Sequence, residues 1–397
     1  MTPRAWLAAS VMALGCGPLA SAPVDPEPSL PSPDHQARFA AAPGTEDRPS
    51  ETLPDAEAAA ARRLAAADRA AHTAFPKALE ARTAAALPAD ASGLLGRNQR
   101  WGEMFSPRFQ LGAGAALRIA LAAERRDAAQ RAFRAVEVAT EAIDDDGAVS
   151  SRVPDTVSGG AQPNVTDLAS GAAFFLGDAC LGAVALEADV ERDRVSSQAR
   201  RQEVRSRLAA AARWLADRHD LLERADRKAP NRLLYDALAF RGGALLVDDA
   251  VERRRLDNLA DAFTRRALDL QRADGVFVEA GGHDTSYQAV ALAVGEDLLL
   301  VSRADDPSTD RLASSLERAA SWLAGRVGPD GRVDSTGNRR TCAGGESFLG
   351  EPKRLDLVKV FSGLVATGVR TGSAASDAAR RIERWVGENR GRDPCFP

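Results

Sequence analysis

Two kinds of helical segment alternate along this chain, and that alternation constrains its fold more than any other feature. From about residue 55 onward apolar residues recur at helical spacing and no stretch sustains a two-residue alternation, so the sequence predicts an all-α protein. One kind of segment is apolar almost all round and dense in Gly and Ala: Leu168 to Leu186, Leu233 to Val247, Ala289 to Val301 and Leu357 to Val369. A helix with no polar face has to be covered on every side. The other kind carries one apolar stripe, such as Leu256, Leu259, Phe263 and Leu270, or Leu312, Leu316, Ala319 and Leu323, with Arg, Asp and Glu on the remaining faces. Apolar-then-amphipathic pairs begin near residues 107, 166, 231, 285 and 353, and an Ala-rich pair between about 55 and 87 brings the expected helical hairpins to six. An inner ring wrapped by an outer ring accounts for the two burial patterns better than a bundle does, which predicts an α/α toroid, a complete or incomplete six-hairpin double ring.

The dipeptide Asp-Gly follows three of the amphipathic segments, at Asp146-Gly147, Asp274-Gly275 and Asp330-Gly331. Asp-Gly supplies the positive-φ turn that ends a helix and opens a loop. The spacing fits a repeat of roughly 55 to 65 residues, the mark of a recurring supersecondary unit. Because each turn precedes an inner helix, the three loops should gather at one end of the toroid and carry the functional residues.

Composition bounds the partners. The chain has 397 residues, 45% hydrophobic and 27% charged, and 52 basic against 56 acidic side chains give a formal net charge of -4. No basic excess marks a nucleic-acid surface. Four of the 52 cations are lysines, Lys77, Lys228, Lys353 and Lys359, and the rest are arginines. The N-terminus reads as an export signal: Arg4 precedes an apolar run, Ala5 to Gly15, too short to span a bilayer. Ala20-Ser21-Ala22 fits signal-peptide cleavage and Leu14-Gly15-Cys16 resembles a bacterial lipobox. The expected organisation is a signal peptide over 1–22, a Pro-rich disordered tether over 23–54 and the toroid over 55–397, in a protein that is periplasmic, extracellular or lipid-anchored to the envelope through Cys16. In an oxidising compartment Cys342 and Cys395 can staple the C-terminal tail, leaving Cys180 as an odd thiol; three unpaired cysteines packed as small hydrophobes are the alternative.

The richest loop runs from Asp274 to Gln288 and holds Glu279, His283, Asp284, Tyr287 and Gln288 around glycines at the mouth of an inner helix. The bland reading of His283 and Asp284 is a helix cap and loop brace; the functional one is an imidazole and a carboxylate in a cleft. Both tyrosines of the chain, Tyr235 and Tyr287, fall near inner-helix starts, which suggests a wet cleft. Asn98, Arg100 and Trp101 precede the first inner helix after the Ala-rich pair, and the third loop holds Asn338, Arg339, Arg340 and Glu346. Guanidinium groups and an aromatic ring suit a sugar carboxylate and a sugar face. Walker, His-Glu-x-x-His, Cys-x-x-Cys and Gly-x-Ser-x-Gly patterns are missing, so nucleotide, zinc-protease and classical esterase readings drop out. Neither cofactor nor metal is called for; the acidic run Asp144, Asp145 and Asp146 reads as a solvated turn before it reads as a calcium site.

An inner helix entered through Asn231-x-x-x-Tyr235, an amphipathic helix, Asp274-Gly275-x-Phe277 and a second inner helix entered through Tyr287 together resemble the alginate lyases and related toroidal polysaccharide lyases. The resemblance covers about residues 230 to 300, and more weakly 98 to 370. It implies β-elimination on a uronic-acid-containing glycan, with Asn231 neutralising the uronate carboxylate and Tyr287 passing protons at the scission point. Such lyases commonly have His directly after that Asn, and this chain has Arg232. His283 or Tyr287 is then the expected base, with Asn231 and Arg232 stabilising the developing charge. Tyr235, Asp236, Glu279, Asp284, Gln288, Asn98, Arg100, Trp101, Asn338, Arg339 and Glu346 are the expected substrate contacts. Two alternatives stay open: a glycoside hydrolase using two of Asp284, Glu279, Asp236 and Asp334, and a non-catalytic glycan-binding envelope lipoprotein.

Overall fold

The computed structural model describes residues 53–100, 104–154, 163–303, 307–348, 351–372, 374–389 and 395. The expected leader, most of the tether, Cys16 and Trp101 lie outside the described residues.

The chain is mostly helical, as the periodicity predicts. Fifteen α-helices are described: α1 (Leu53–Ala74), α2 (Pro76–Ala85), α3 (Gly96–Arg100), α4 (Ala113–Ala122), α5 (Arg126–Thr140), α6 (Val165–Glu187), α7 (Arg192–Val195), α8 (Gln198–Ala216), α9 (His219–Asp226), α10 (Pro230–Ala244), α11 (Ala250–Asp269), α12 (Thr285–Val301), α13 (Pro307–Gly325), α14 (Leu357–Thr371) and α15 (Ala374–Glu388). The described strands form one short antiparallel pair, Ser347–Phe348 with Glu351–Pro352.

The apolar helices α4, α6, α10, α12 and α14 pack side by side in chain order, and the amphipathic α5, α8, α11, α13 and α15 each back onto their own partner. Helix α6 is buried almost throughout, as is α10, which agrees with their lack of a polar face. Helix α6 is the described helix long and apolar enough to cross a membrane, and 89% of that stretch is covered by protein. Small residues let the apolar helices approach closely. A Cβ on Gly182 of α6 would lie 2.8 Å from Gly114 Cα of α4, closer than carbon atoms can sit. The same crossing lets Asp178 of α6 cap its neighbour, accepting hydrogen bonds from the backbone N–H groups of Gly112, Gly114 and Ala115 at 2.8–2.9 Å.

The Ala-rich pair departs from expectation. It was expected as one more hairpin, but α1 packs against α4, α6, α12 and α14 together. Arg63 of α1 donates to the carbonyls of Leu300 and Ser302 at the C-terminal end of α12, where the helix leaves acceptors unsatisfied. Asp68 pairs with buried Arg118 of α4, which also pairs with Asp297 of α12. Helix α1 is thus tied to the C-terminal part of α12 and to α4, a position the alanine pattern alone does not specify.

The three Asp-Gly turns are structurally equivalent. Each is closed by a bridge, Ile143 with Val149, Gln271 with Phe277 and Val327 with Val333. In each, the Asp side chain accepts from the backbone N–H two residues on, and Gly147, Gly275 and Gly331 have φ of 82°, 91° and 86°. A Cβ on these glycines would lie 2.2–2.4 Å from the backbone oxygen of Ala210, Arg318 or Arg381. Each turn is therefore docked against the following amphipathic helix, and only Gly fits there. Asp146 is spent on its turn, and among the described residues no three His, Cys, Asp or Glu side chains are grouped to hold a metal ion.

Cys342 and Cys395 form a disulfide across 53 residues, and Cys180 is a buried free thiol between α6 and α10. Burial pushes the Cys180 thiol up to about 12, which keeps it unreactive. Breaking the bridge by Cys395→Ser is expected to lower unfolding stability by about 4 kcal/mol, the loop-entropy value for a span of this length. Chemical denaturation under non-reducing conditions measures it. An unchanged midpoint would mean that the bridge adds nothing to the other contacts of its loop.

Candidate functional site

The N-terminal ends of α10 and α12 and the loop before α14 bring one set of charged side chains together. Pro230 opens α10 where its missing N–H costs nothing, and the next turn presents Asn231, Arg232, Tyr235 and Asp236. Arg232 pairs with Asp226 at 3.0 Å, both buried, and its charge also acts on Asp236 and on Glu279 of the second turn loop. Glu279 accepts from Arg340. Arg340 donates to Glu346 at 2.8 Å, and Lys353 pairs with the same carboxylate at 2.5 Å. Lys353 Nζ then donates to the Tyr287 hydroxyl at 3.3 Å, while the Arg340 guanidinium carbon lies 4.1 Å from the centre of the Tyr287 ring. A continuous series of charges therefore runs from Asp226 to the phenol oxygen of Tyr287.

Burial sets the protonation behaviour of this cluster. Desolvation raises Asp236 well above the usual carboxylate range, and the neighbouring Asp226 charge pushes the same way against Arg232. Desolvation likewise raises Asp226 and Glu279, with Arg232 and Arg340 respectively opposing it. Glu346 is also pushed up by burial, but hydrogen bonds from Arg340 and Lys353 outweigh that and leave it below its ordinary value. Asn231 is 1% exposed, and neither its Nδ2 nor its Oδ1 has a hydrogen-bond partner. A buried amide left unsatisfied on both atoms is costly and is the usual sign of a place for water or ligand.

Because a carboxyl with a raised folded pKa is most stabilising when protonated, Asp236 should contribute stability at low pH that is lost as pH rises from the ordinary Asp value through its folded one. Asp236→Asn keeps the shape and removes the ionisation. It is expected to be more stable than the wild type by a margin that grows with pH, about 1.4 kcal/mol per unit of upward displacement. Melting curves of both proteins across the acid-to-neutral range check this; parallel curves would mean that Asp236 does not titrate above its unfolded value.

Beside the cluster, an open pocket lies between α4, α10, α12 and α14, walled on one side by Thr83 and Ala86. Its lining is mostly Ala, Val and Ile, with Tyr235, Asp356, Lys359 and Ser362 as the polar contributions. Tyr235 also stacks on Phe174 with ring centres 4.3 Å apart.

Several expected site residues have scaffold duties instead. Asp284 caps α12 through Ser286 and Tyr287 N–H, and its other oxygen accepts from Arg340 N, Thr341 N and Thr341 Oγ1. Gln288 fixes the second turn through Phe277 N, Gly275 O and Ala319 O. Asn338 is bonded to Thr285 and Thr341, and Asn98 to Ser106 and Gln110. The His283 imidazole lies against Trp322, with ring centres 5.2 Å apart, and contacts Thr336 O and Arg326. That turns it toward α13 and away from the role of base expected for it. Asp334, a hydrolase candidate, is paired with Arg326, and its hydrogen bonds to Thr336 help hold it below its usual value despite the opposing effect of burial. Arg100 and Arg339 are exposed. Lys353 was not singled out from the sequence; its signal was rarity, a lysine among arginines directly before the apolar helix α14.

Compared with known proteins, the chain matches no family model, no curated protein and no solved structure.

Proposed function

We propose that the protein is an exported α/α-toroid enzyme that cleaves a uronic-acid-containing polysaccharide by β-elimination, without a cofactor. The observation that carries the reading is Tyr287, whose hydroxyl accepts a hydrogen bond from Lys353 while Arg340 covers its ring. Two cations beside a phenol favour negative charge on its oxygen. The side-by-side inner helices, backed by amphipathic ones and bridged at one end by α1, support the toroid.

In the proposed reaction the Tyr287 phenolate takes the C5 proton next to the uronate carboxylate. The electron pair forms the C4–C5 double bond, the C4–O glycosidic bond breaks, and the departing oxygen recovers a proton from the Tyr287 hydroxyl. The difficult step is holding the charge that moves onto the carboxylate. Asn231 Nδ2 is a buried donor without a partner, and Arg232 adds positive charge beside it. Tyr235 offers an aromatic face to the sugar.

The second reading is a hydrolase, favoured by the raised pKa values of Asp236 and Glu279, since a neutral carboxyl is a general acid. Incubating the mature protein with a panel of polyuronates and glycosaminoglycans separates the two. Elimination produces the ultraviolet band of a conjugated unsaturated uronate. New reducing ends without that band would replace the lyase with the hydrolase, and neither signal, with binding retained, would leave a glycan-binding protein.

A further inference from the structure

The segment that carries Arg340, Glu346 and Lys353 is pinned by the far end of the chain. It doubles back on itself: Ser347–Phe348 pairs with Glu351–Pro352, Lys353 N–H donates to Glu346 O at 2.7 Å, and Cys342 N–H donates to Lys353 O at 2.9 Å. Cys342 therefore stands at the neck of a hairpin, two residues after Arg340 and bonded across to Lys353. Its sulfur is joined to Cys395, which lies beyond α14 and α15. The Leu355 N–H donates to both bridge sulfurs, at 3.3 and 3.4 Å. Cys342 has φ of 53°, a conformation that a residue with a side chain keeps only where its surroundings impose it. Both bridged cysteines are half-buried, unlike the sealed Cys180.

The two cations at Tyr287 are not held alike. Arg340 is fixed at its backbone N–H by Asp284 and at its side chain by Glu279. The Lys353 backbone is held from within the hairpin, by Glu346 O and by Cys342 N–H. Loosening the neck therefore frees the lysine more than the arginine.

We propose that the Cys342–Cys395 bridge is a redox-sensitive clasp that holds the Lys353 ammonium against the Tyr287 hydroxyl. A dithiol reductant supplies two electrons and two protons: the S–S bond breaks, Cys342 and Cys395 become thiols, and the reductant closes to its own disulfide. Lys353 then leaves the phenol while the helices stay packed. The site reaches its competent form only where thiols oxidise. The effect on turnover rests on the reading of Tyr287 given above; the effect on the phenol does not.

Tyr235 and Tyr287 are the chain's two tyrosines, so the ultraviolet band of tyrosinate reads the site directly. The mature protein is titrated with alkali with the bridge closed, and again after a phosphine has opened it, the phosphorus taking the oxygen of a water molecule and the sulfurs its protons. With the bridge closed, Tyr287→Phe is expected to remove the first ionisation step, which assigns it. Opening the bridge should move that step to higher pH, reoxidation should restore it, and the movement should be nearly absent in Lys353→Met. Cys395→Ser opens the bridge without a reductant and should match the reduced protein. On a polyuronate, reduction should lower kcat by up to about 100-fold, the effect of misplacing a reacting group by ~1 Å. A step that stays in place when thiol titration shows the bridge open, a step indifferent to Tyr287→Phe, or a movement undiminished in Lys353→Met overturns the clasp. So does loss of helical circular dichroism on reduction, because the bridge would then hold the fold and not the lysine. The reaction is judged separately: a reversible movement without an unsaturated product refutes the lyase and keeps the clasp, while product formed at one rate by both redox forms, with the step unmoved, does the reverse.

Discussion

Replacement of Tyr287 by Phe is expected to lower kcat on a uronate polymer by a factor of about 100 to 10,000, the usual worth of a positioned acid or base, with much less change in KM. The ring stays under Arg340 and only the oxygen is lost, so packing is retained. Lys353→Met should reproduce much of the loss by a different route, because it removes the ammonium 3.3 Å from the phenol oxygen. A further distinction lies in the pH profile. If Lys353 favours the phenolate, its removal moves the basic rise of kcat to higher pH, whereas a lysine that merely ties down Glu346 leaves the profile in place. Initial rates from the ultraviolet band of the product measure both. Retention of full activity by Tyr287→Phe would remove Tyr287 from the chemistry and bring forward the carboxyls Asp236 and Glu279.

How much of this was legible in the sequence depended on the range of the interaction concerned. Helix type was legible because the absence of a polar face is a local property, and α6 and α10 are buried as that property requires. The Asp-Gly repeat was legible for the same reason: the positive φ of Gly275 is set by the turn itself. The position of α1 was not, since it depends on Arg63, Asp68 and Arg118 meeting partners far along the chain. Asn231, Arg232, Tyr235 and Asp236 fall in the first turns of α10 and Tyr287 in the first turn of α12, and Glu279 and Glu346 are tied to them through Arg232, Arg340 and Lys353. The polar residues that proved to be braces, Asp284, Gln288 and Asn338, have the same composition and loop position as site residues. What separates them is whether neighbouring backbone groups use up their hydrogen bonds, and no local pattern records that.

The largest expected loss of stability follows from that distinction. Asp284 is 1% exposed and accepts two backbone N–H groups at the start of α12 through one oxygen, then two backbone N–H groups and a hydroxyl of the next loop through the other. Asp284→Ala strips a helix cap, worth about 1 kcal/mol. It also leaves Arg340 N and Thr341 N buried without acceptors, at about 1 to 3 kcal/mol each. A total of roughly 3 to 7 kcal/mol is expected from denaturant unfolding. Asp284→Asn should fall only partly short of this, because its amide can keep the cap oxygen but turns an NH2 toward two N–H donors. The loop released by either change carries Arg340, Glu346 and Lys353, so turnover should fall in the fraction that remains folded, although Asp284 touches neither the Tyr287 hydroxyl nor Lys353. A loss of activity with no loss of stability would contradict this account and return Asp284 to the substrate-binding role that its position in the sequence suggested.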